Sequence, residues 1–442
     1  MAPLARDFVR VATSGSVDDG KSTLIGRMVL EAKQAFDDEI EALGGPGVLD
    51  LAQLTDGLRE ESEKGITIDV AYRSFATRRR RFLLADSPGH VELTRNAVTA
   101  LSGADVALVL VDARHGVVEQ TRRHALLASL IRVPHLVVCV NKMDLVGFSR
   151  DAYDSVRDSF EELSERLDLP DVAFVPVSAL GGDNVSSRSA EMTWYEGAPL
   201  LAHLEEVHTS SDRNLVDLRA SVERPLQLPG DRTREPGVVL QVLSGVLRDE
   251  EELVVLGGFE SSSEPVPVTI RRLAAPAALR APAKTLREAR PPGIVVAALG
   301  GVASDQGGFW PPRGSMLCRP LNHPAPRSEI DAMVFWMGDQ PLAEGMRLTM
   351  RHTTRWVGVR VSSVHYRLDI STLHRDPGAC ALGANDIGHV TLVADHPLWA
   401  DDHARVRSTG CALLVDAASG ATLGALTLRG PTSPPASLRG VT

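Results

Sequence analysis

The octapeptide GSVDDGKS, Gly15 to Ser22, constrains this chain more than any other stretch. It fits the spacing G-x-x-x-x-G-K-[ST], follows the apolar run FVRVAT and precedes TLIGRM, whose apolar residues recur at helical spacing. A strand, a glycine-framed turn and a helix start make a phosphate cradle. The glycines let backbone N–H groups wrap the oxygens, and the helix end adds positive potential. Gly15, Ser16, Val17, Asp18, Asp19, Gly20, Lys21, Ser22 and Thr23 are therefore the expected phosphate-binding residues. Lys21 is placed to reach the terminal phosphates and Ser22 to bind Mg²⁺.

Such a cradle needs a sheet behind it. Over the first two hundred residues the strand-like runs FVRVAT, RFLLAD, DVALVLVDA, HLVVCVN and VAFVPVSA alternate with helical stretches such as Thr121 to Ile131 and Asp151 to Leu167. That alternation predicts an α/β P-loop domain with a mostly parallel sheet and a ligand at the carboxyl ends of its strands. The polar stretch HTSSDRN then separates residues 1–212 from segments of short strands and turns. These predict two β-barrel domains, 213–325 and 326–430, followed by a Pro/Ser-rich tail, 431–442.

Other strand ends carry the remaining chemistry. DSPGH, Asp86 to His90, follows RFLLA: Asp86 can hold Mg²⁺ through a water, and the N–H of Gly89 can meet the γ-phosphate. Ser87 and Pro88 complete this switch, and His90 is the candidate for orienting the attacking water. GITI precedes it, with Thr67 placed to complete Mg²⁺ coordination when the triphosphate is bound. NKMD, Asn141 to Asp144, selects the base. The Asp144 carboxylate can accept hydrogens from guanine N1 and N2, a donor pair adenine lacks, so GTP is expected over ATP. Asn141 supports the loop and the other edge of the base, Lys142 lays its stem on the ring, and Met143 completes the turn. Ser178, Ala179 and Leu180 supply backbone N–H groups for guanine O6.

Composition narrows the function further. A net charge of -10 argues against a general nucleic-acid-binding surface. The apolar runs are strand-sized and MAPLARDFVR lacks a signal-like apolar region, so a cytoplasmic protein without membrane spans is expected. Only five of 47 basic residues are lysine, and Lys21 and Lys142 are two of them. A thin aliphatic stem with a compact ammonium suits both positions. The four cysteines are scattered singly, a pattern of neither metal ligands nor disulfides. The arginine run from Arg78 to Arg81 reads as a solvated turn.

Taken together, GSVDDGKSTLIGR, KGITIDVAYRSF, DSPGH, LVDARHGVVEQTRRHA, NKMDLV and M.WYEG.PLL resemble the large, GTP-hydrolysing subunit of the two-subunit sulfate adenylyltransferase, a relative of translation elongation GTPases. Asp19 carries much of the resemblance, because translation relatives usually place His or Ser there. The resemblance implies a small adenylyltransferase partner subunit that binds ATP and sulfate and makes adenosine 5'-phosphosulfate and pyrophosphate. GTP hydrolysis on this chain would drive that reaction. Two other readings stay open: a factor delivering aminoacyl-tRNA, and a paralogue coupled to adenylation of a substrate other than sulfate. The switches offer no arginine-finger candidate, so slow intrinsic turnover is expected. No second phosphate loop and no lysine follow Lys284, so the adenylylsulfate kinase fused to some relatives is not expected within these residues.

Overall fold

The computed structural model describes residues 7–16, 18–32, 70–77, 79–87, 94–167, 169, 171–209, 212–227, 236–257, 264–276, 285–301, 310–370 and 372–430. Two compact units result, the first running from the N-terminal residues to Thr209 and the second built from Ser210–Leu368 with Arg375–Ser433.

In chain order the first unit has β1 (Asp7–Gly15), α1 (Lys21–Glu31), β2 (Ala71–Ala76), β3 (Arg80–Asp86), α2 (Thr94–Ser102) and β4 (Val106–Asp112). Then come α3 (Glu119–Ile131), β5 (His135–Asn141), α4 (Arg150–Leu167), β6 (Val172–Pro176) and α5 (Leu200–Glu206). The sheet order is β2-β3-β1-β4-β5-β6. β1 pairs in parallel with both β3 and β4, β4 with β5 and β5 with β6; only β2 runs antiparallel. Because the chain departs from β1 to both sides, a crevice opens at the carboxyl end of β1, where α/β sheets bind their ligands.

Local sequence explains these elements. Every residue of β4, VALVLVD, is buried, as a strand covered on both faces requires. α4 buries Tyr153, Val156, Phe160, Leu163 and Leu167, a stripe at three- and four-residue spacing, and leaves its charged face to water. α1 packs Leu24, Ile25 and Met28 into the same core as Val9, Val11, Leu108 and Leu110. Each such side chain contributes roughly 1.5–3 kcal/mol by leaving water. That packing fixes the cradle between β1 and α1.

One expectation is corrected here. Arg81 is exposed, but Arg80 turns inward, only 7% exposed, and its guanidinium donates to the carbonyls of Leu204 at 3.0 Å and of Val207. It satisfies carbonyls that the last turn of α5 leaves unpaired, which a solvated turn would not do.

The second unit contains two closed antiparallel sheets. In the first, Glu252–Leu256 pairs with Val266–Ala274 to close the circle. In the second, Arg347–His352 pairs with Arg355–Leu368 to the same effect. Alternating residues such as Leu218, Val222 and Leu240 fill one interior, and Ala332, Val334, Val390 and Leu392 fill the other. Closure leaves neither sheet with a long free edge. Between the barrels the fully buried Arg219 forks onto Asp401, Nε to Oδ2 at 2.7 Å and Nη2 to Oδ1 at 2.8 Å. Thr409 donates to the same carboxylate at 2.6 Å. Among the described residues, no helix is long and apolar enough to cross a membrane.

Candidate nucleotide-binding site

The cradle is set by two glycines. Gly15 (φ +149°) approaches the Leu110 carbonyl so closely that a Cβ would sit 2.8 Å from it. At Gly20 (φ +89°) a Cβ would lie 2.5 Å from Asn141 Nδ2. Neither position accepts a side chain, and Gly20 starts α1 in a left-handed conformation that glycine adopts without penalty.

Side chains lock the loop from below. The Ser16 N–H donates to Asp19 Oδ2 at 2.6 Å, and Lys21 Nζ donates to the Ser16 carbonyl at 2.7 Å and the Gly15 carbonyl at 3.2 Å. Asp18 is exposed with φ +65°, and Thr23 lies half-buried in the first turn of α1. Burial pushes the Asp19 carboxyl up, against the charge of Lys21. It also pushes the Lys21 ammonium down, against Asp86 first and Asp19 second. A desolvated cation at the start of a helix is what a polyphosphate would neutralise.

Behind the loop Asp86, 1% exposed, takes Ser22 Oγ on Oδ2 at 2.7 Å and Thr13 Oγ1 on Oδ1 at 2.9 Å. Ser87 Oγ donates to the Thr13 carbonyl at 2.5 Å. A hydroxyl and a carboxylate, hard oxygens already in contact, form the donor set that Mg²⁺ takes beside phosphates, so these residues fit that ion.

The Asn141 side chain ties the phosphate loop to the Ser178–Leu180 turn. Asn141, 1% exposed, donates Nδ2 to the Asp19 carbonyl at 2.7 Å and accepts the Ala179 N–H on Oδ1 at 2.9 Å. Lys142 (φ +61°) places Nζ 2.9 Å from Asp112 Oδ2, fixing the stem that the sequence assigns to the ring face. Met143 is buried under the turn and Asp144 is half-buried. Ser178 is buried, its Oγ accepting the Gly181 N–H at 3.0 Å, while Leu180 is 69% exposed. Asn141 thus already engages the Ala179 N–H, one of the donors the sequence assigns to guanine O6.

The structure thus brings Gly15, Ser16, Asp19, Gly20, Lys21, Ser22, Asp86, Ser87, Asn141, Lys142 and the Ser178–Leu180 turn to the carboxyl edge of one sheet. Val17, Thr67, Pro88, Gly89 and His90 lie outside the described residues.

Sequence reasoning missed the braces. Asp112 receives Arg114 Nη2 at 2.7 Å as well as Lys142. Burial alone would raise its carboxyl, but the Arg114 and Lys142 cations hold it well below the usual carboxylate range. Arg27 on α1 donates Nε to the Ala179 carbonyl at 3.1 Å. His124 on α3, 2% exposed, bonds the Gly15 backbone; burial and the charges of Lys21 and Arg123 push its imidazole down to about 3. The only available signal was that Asp112 ends an otherwise apolar strand.

A glycine-framed phosphate loop on a parallel sheet, an Asn-Lys-x-Asp turn beside it and two closed barrels define a GTPase of the translation-factor class. Residues 6–227 match the Elongation factor Tu GTP binding domain, and residues 329–427 match the GTP-eEF1A C-terminal domain-like family. The "Sulfate adenylyltransferase subunit 1" of Laribacter hongkongensis is 38% identical over 96% of this chain and 85% of that protein. The chain belongs to this sulfate adenylyltransferase subunit 1 family. The "Bifunctional enzyme CysN/CysC" of Mycobacterium tuberculosis is 45% identical over 95% of this chain, which spans 66% of that longer relative. The solved structure of sup35 complexed with GDP aligns over 97% of this chain and 95% of that one, at 21% identity and a TM-score of 0.43.

Proposed function

We propose that this chain is the cytoplasmic, GTP-hydrolysing subunit of a two-subunit sulfate adenylyltransferase. A separate small subunit would join ATP and sulfate into adenosine 5'-phosphosulfate with release of pyrophosphate. The observation that carries the nucleotide reading is the Asn141 side chain, which links the Asp19 carbonyl of the phosphate loop to the Ala179 N–H of the Ser178–Leu180 turn. It is supported by relatives named for subunit 1 of that enzyme.

In this reading Asp144 selects guanine and the cradle, with Lys21, holds the phosphates. Ser22, Asp86 and, outside the described residues, Thr67 would hold Mg²⁺. That ion neutralises charge between the phosphates when bound. His90 orients the attacking water, and the N–H of Gly89 meets the γ-phosphate. A phosphate-dependent change in these switches gives the partner two surfaces of unequal affinity, without which hydrolysis could not be coupled to the partner's reaction.

The test is reconstitution with the small subunit, scored by pyrophosphate release over a panel of oxyanions. Formation of the adenylyl product should rise with GTP, with sulfate as substrate, and Lys21→Ala should abolish the rise. An active complex indifferent to GTP overturns the coupling, and a different productive oxyanion overturns the substrate. GTP-dependent retention of aminoacyl-tRNA at low salt would favour the translation reading instead.

A further inference from the structure

The last barrel carries polar residues that the GTPase site does not use. Its strand Ile387–Trp399 lies between Pro326–Trp336 and Arg355–Leu368. Even-numbered residues of the first two of these, Ala332, Val334, Val390 and Leu392, fill the interior. The odd-numbered Asp331 and His389 therefore stand on the outer face. Asp331 pairs with Thr391 and Met333 with His389, so Asp331 and His389 meet on the diagonal, and His389 Nε2 is hydrogen-bonded to Asp331 Oδ1.

The third strand reaches the same spot through an irregularity. Val364 pairs with Val390, but the next pair is Tyr366 with His389, so His365 and Tyr366 together oppose one residue. A bulge of this kind re-aims a side chain. His365 lands with its ring centroid 4.6 Å from that of His389, and the Tyr366 ring centroid lies 5.2 Å from the His389 centroid. Thr391 Oγ1, 2.7 Å from His365 Nε2, steadies that ring. Asp331, His365 and His389 each offer a donor atom, all within 4.8 Å of one another. His365 is exposed and the Asp331 side chain is 36% exposed, which leaves one side open to water.

We infer that Asp331, His365 and His389 form a binding site for a first-row divalent transition ion, of which Zn²⁺ is the best fit. Two imidazoles and one carboxylate suit zinc, whereas Mg²⁺ prefers oxygen donors and its own waters. Water completes the coordination. The Arg429 guanidinium also acts on the Asp331 carboxylate, so the ion shares that charge. The ion would staple three strands at the point where the bulge interrupts their ladder.

Untagged full-length protein, stripped with a chelator and held in excess Mg²⁺ and GDP to occupy the nucleotide site, is titrated with Zn²⁺ and with Co²⁺. One equivalent should bind, Co²⁺ should show the intense visible bands of a four-coordinate site, and zinc should raise the melting temperature. His365→Ala and His389→Ala should each weaken binding by more than about tenfold, the scale on which even outer-shell losses act. Asp331→Asn, which keeps a hydrogen-bond acceptor for His389, should do the same. His365 is exposed, so the metal-free melting temperature of His365→Ala should match the wild type. Binding that all three variants retain, or no binding by the wild type, overturns the site.

Discussion

The carboxyl edge of the parallel sheet and the outer face of the last barrel both gather polar side chains on a β-scaffold, by different routes. At the edge, β1, β3, β4 and β5 each end in a polar residue, Gly15 excepted, and the following loop supplies N–H groups, hydroxyls and charges in contiguous runs. On the barrel face, Asp331, His365 and His389 come from within three strands and converge only through register and a bulge. An edge can present backbone donors to an extended anion, because the loop after a strand and the first turn of the next helix leave N–H groups unpaired. A face has most of its backbone groups in the ladder and offers mainly side chains, so it suits a compact ion.

The largest effect should come from the edge's one buried ammonium. Lys21→Ala leaves Asp19 and Asp86 uncompensated and removes the phosphate partner; GTP affinity should fall by about 2–5 kcal/mol, on the order of 30- to several-thousand-fold. Fluorescent-nucleotide titration measures it, and a change under about threefold would mean that the cradle binds through backbone donors alone. Asn141→Ala comes next. It strands the Asp19 carbonyl and the Ala179 N–H, and should cost about 2 kcal/mol in affinity, from roughly 1 kcal/mol or more per unmet group. If the edge is one pocket, this variant weakens GTP and ATP alike. Asp144→Ala should instead lower the GTP-over-ATP preference by roughly tenfold to a hundredfold, the worth of hydrogen bonds to one charged group, with ATP binding unchanged. An unchanged preference would place base selection elsewhere.

The two regions also differ in how far the sequence announces them. GSVDDGKS and NKMD were legible because each packs its chemistry into consecutive residues beside an apolar strand, and the strands were legible because β4 and its neighbours are continuous apolar runs. The residues that brace the pocket were not. Asp112 reaches Lys142 across the paired ends of β4 and β5, and Arg27 reaches the Ala179 carbonyl from another element, so neither is visible at fixed spacing. Arg80 was misplaced for a similar reason: its partners, the Leu204 and Val207 carbonyls, follow more than a hundred residues later. The histidine cluster was invisible because a bulge has no spacing of its own.

Acid separates two of the hidden braces and gives the smallest effects. His124 is held neutral down to about 3, against an ordinary 6.5. Between those values the unfolded chain binds a proton that the folded chain refuses, so stability rises with pH through the window. This contribution is complete above pH 6.5 and is lost progressively toward pH 3. His124→Gln should flatten that slope in urea melts, and an unchanged slope would mean that the imidazole is not buried behind the cradle. Asp112 starts from an ordinary 3.8 and is held lower, so its contribution is intact above about pH 4 and disappears only as pH falls below that. Near pH 5 the first brace is already weakening while the second is whole. Asp112→Asn should therefore leave the melting slope between pH 5 and pH 7 untouched. It should still weaken GTP about threefold to tenfold, since Lys142 loses the carboxylate charge that aligns its stem, worth roughly 0.5–1.5 kcal/mol. If GTP binding is unaffected, Lys142 is held in place by the left-handed turn alone, and the ion pair beneath it serves the strand ends rather than the base.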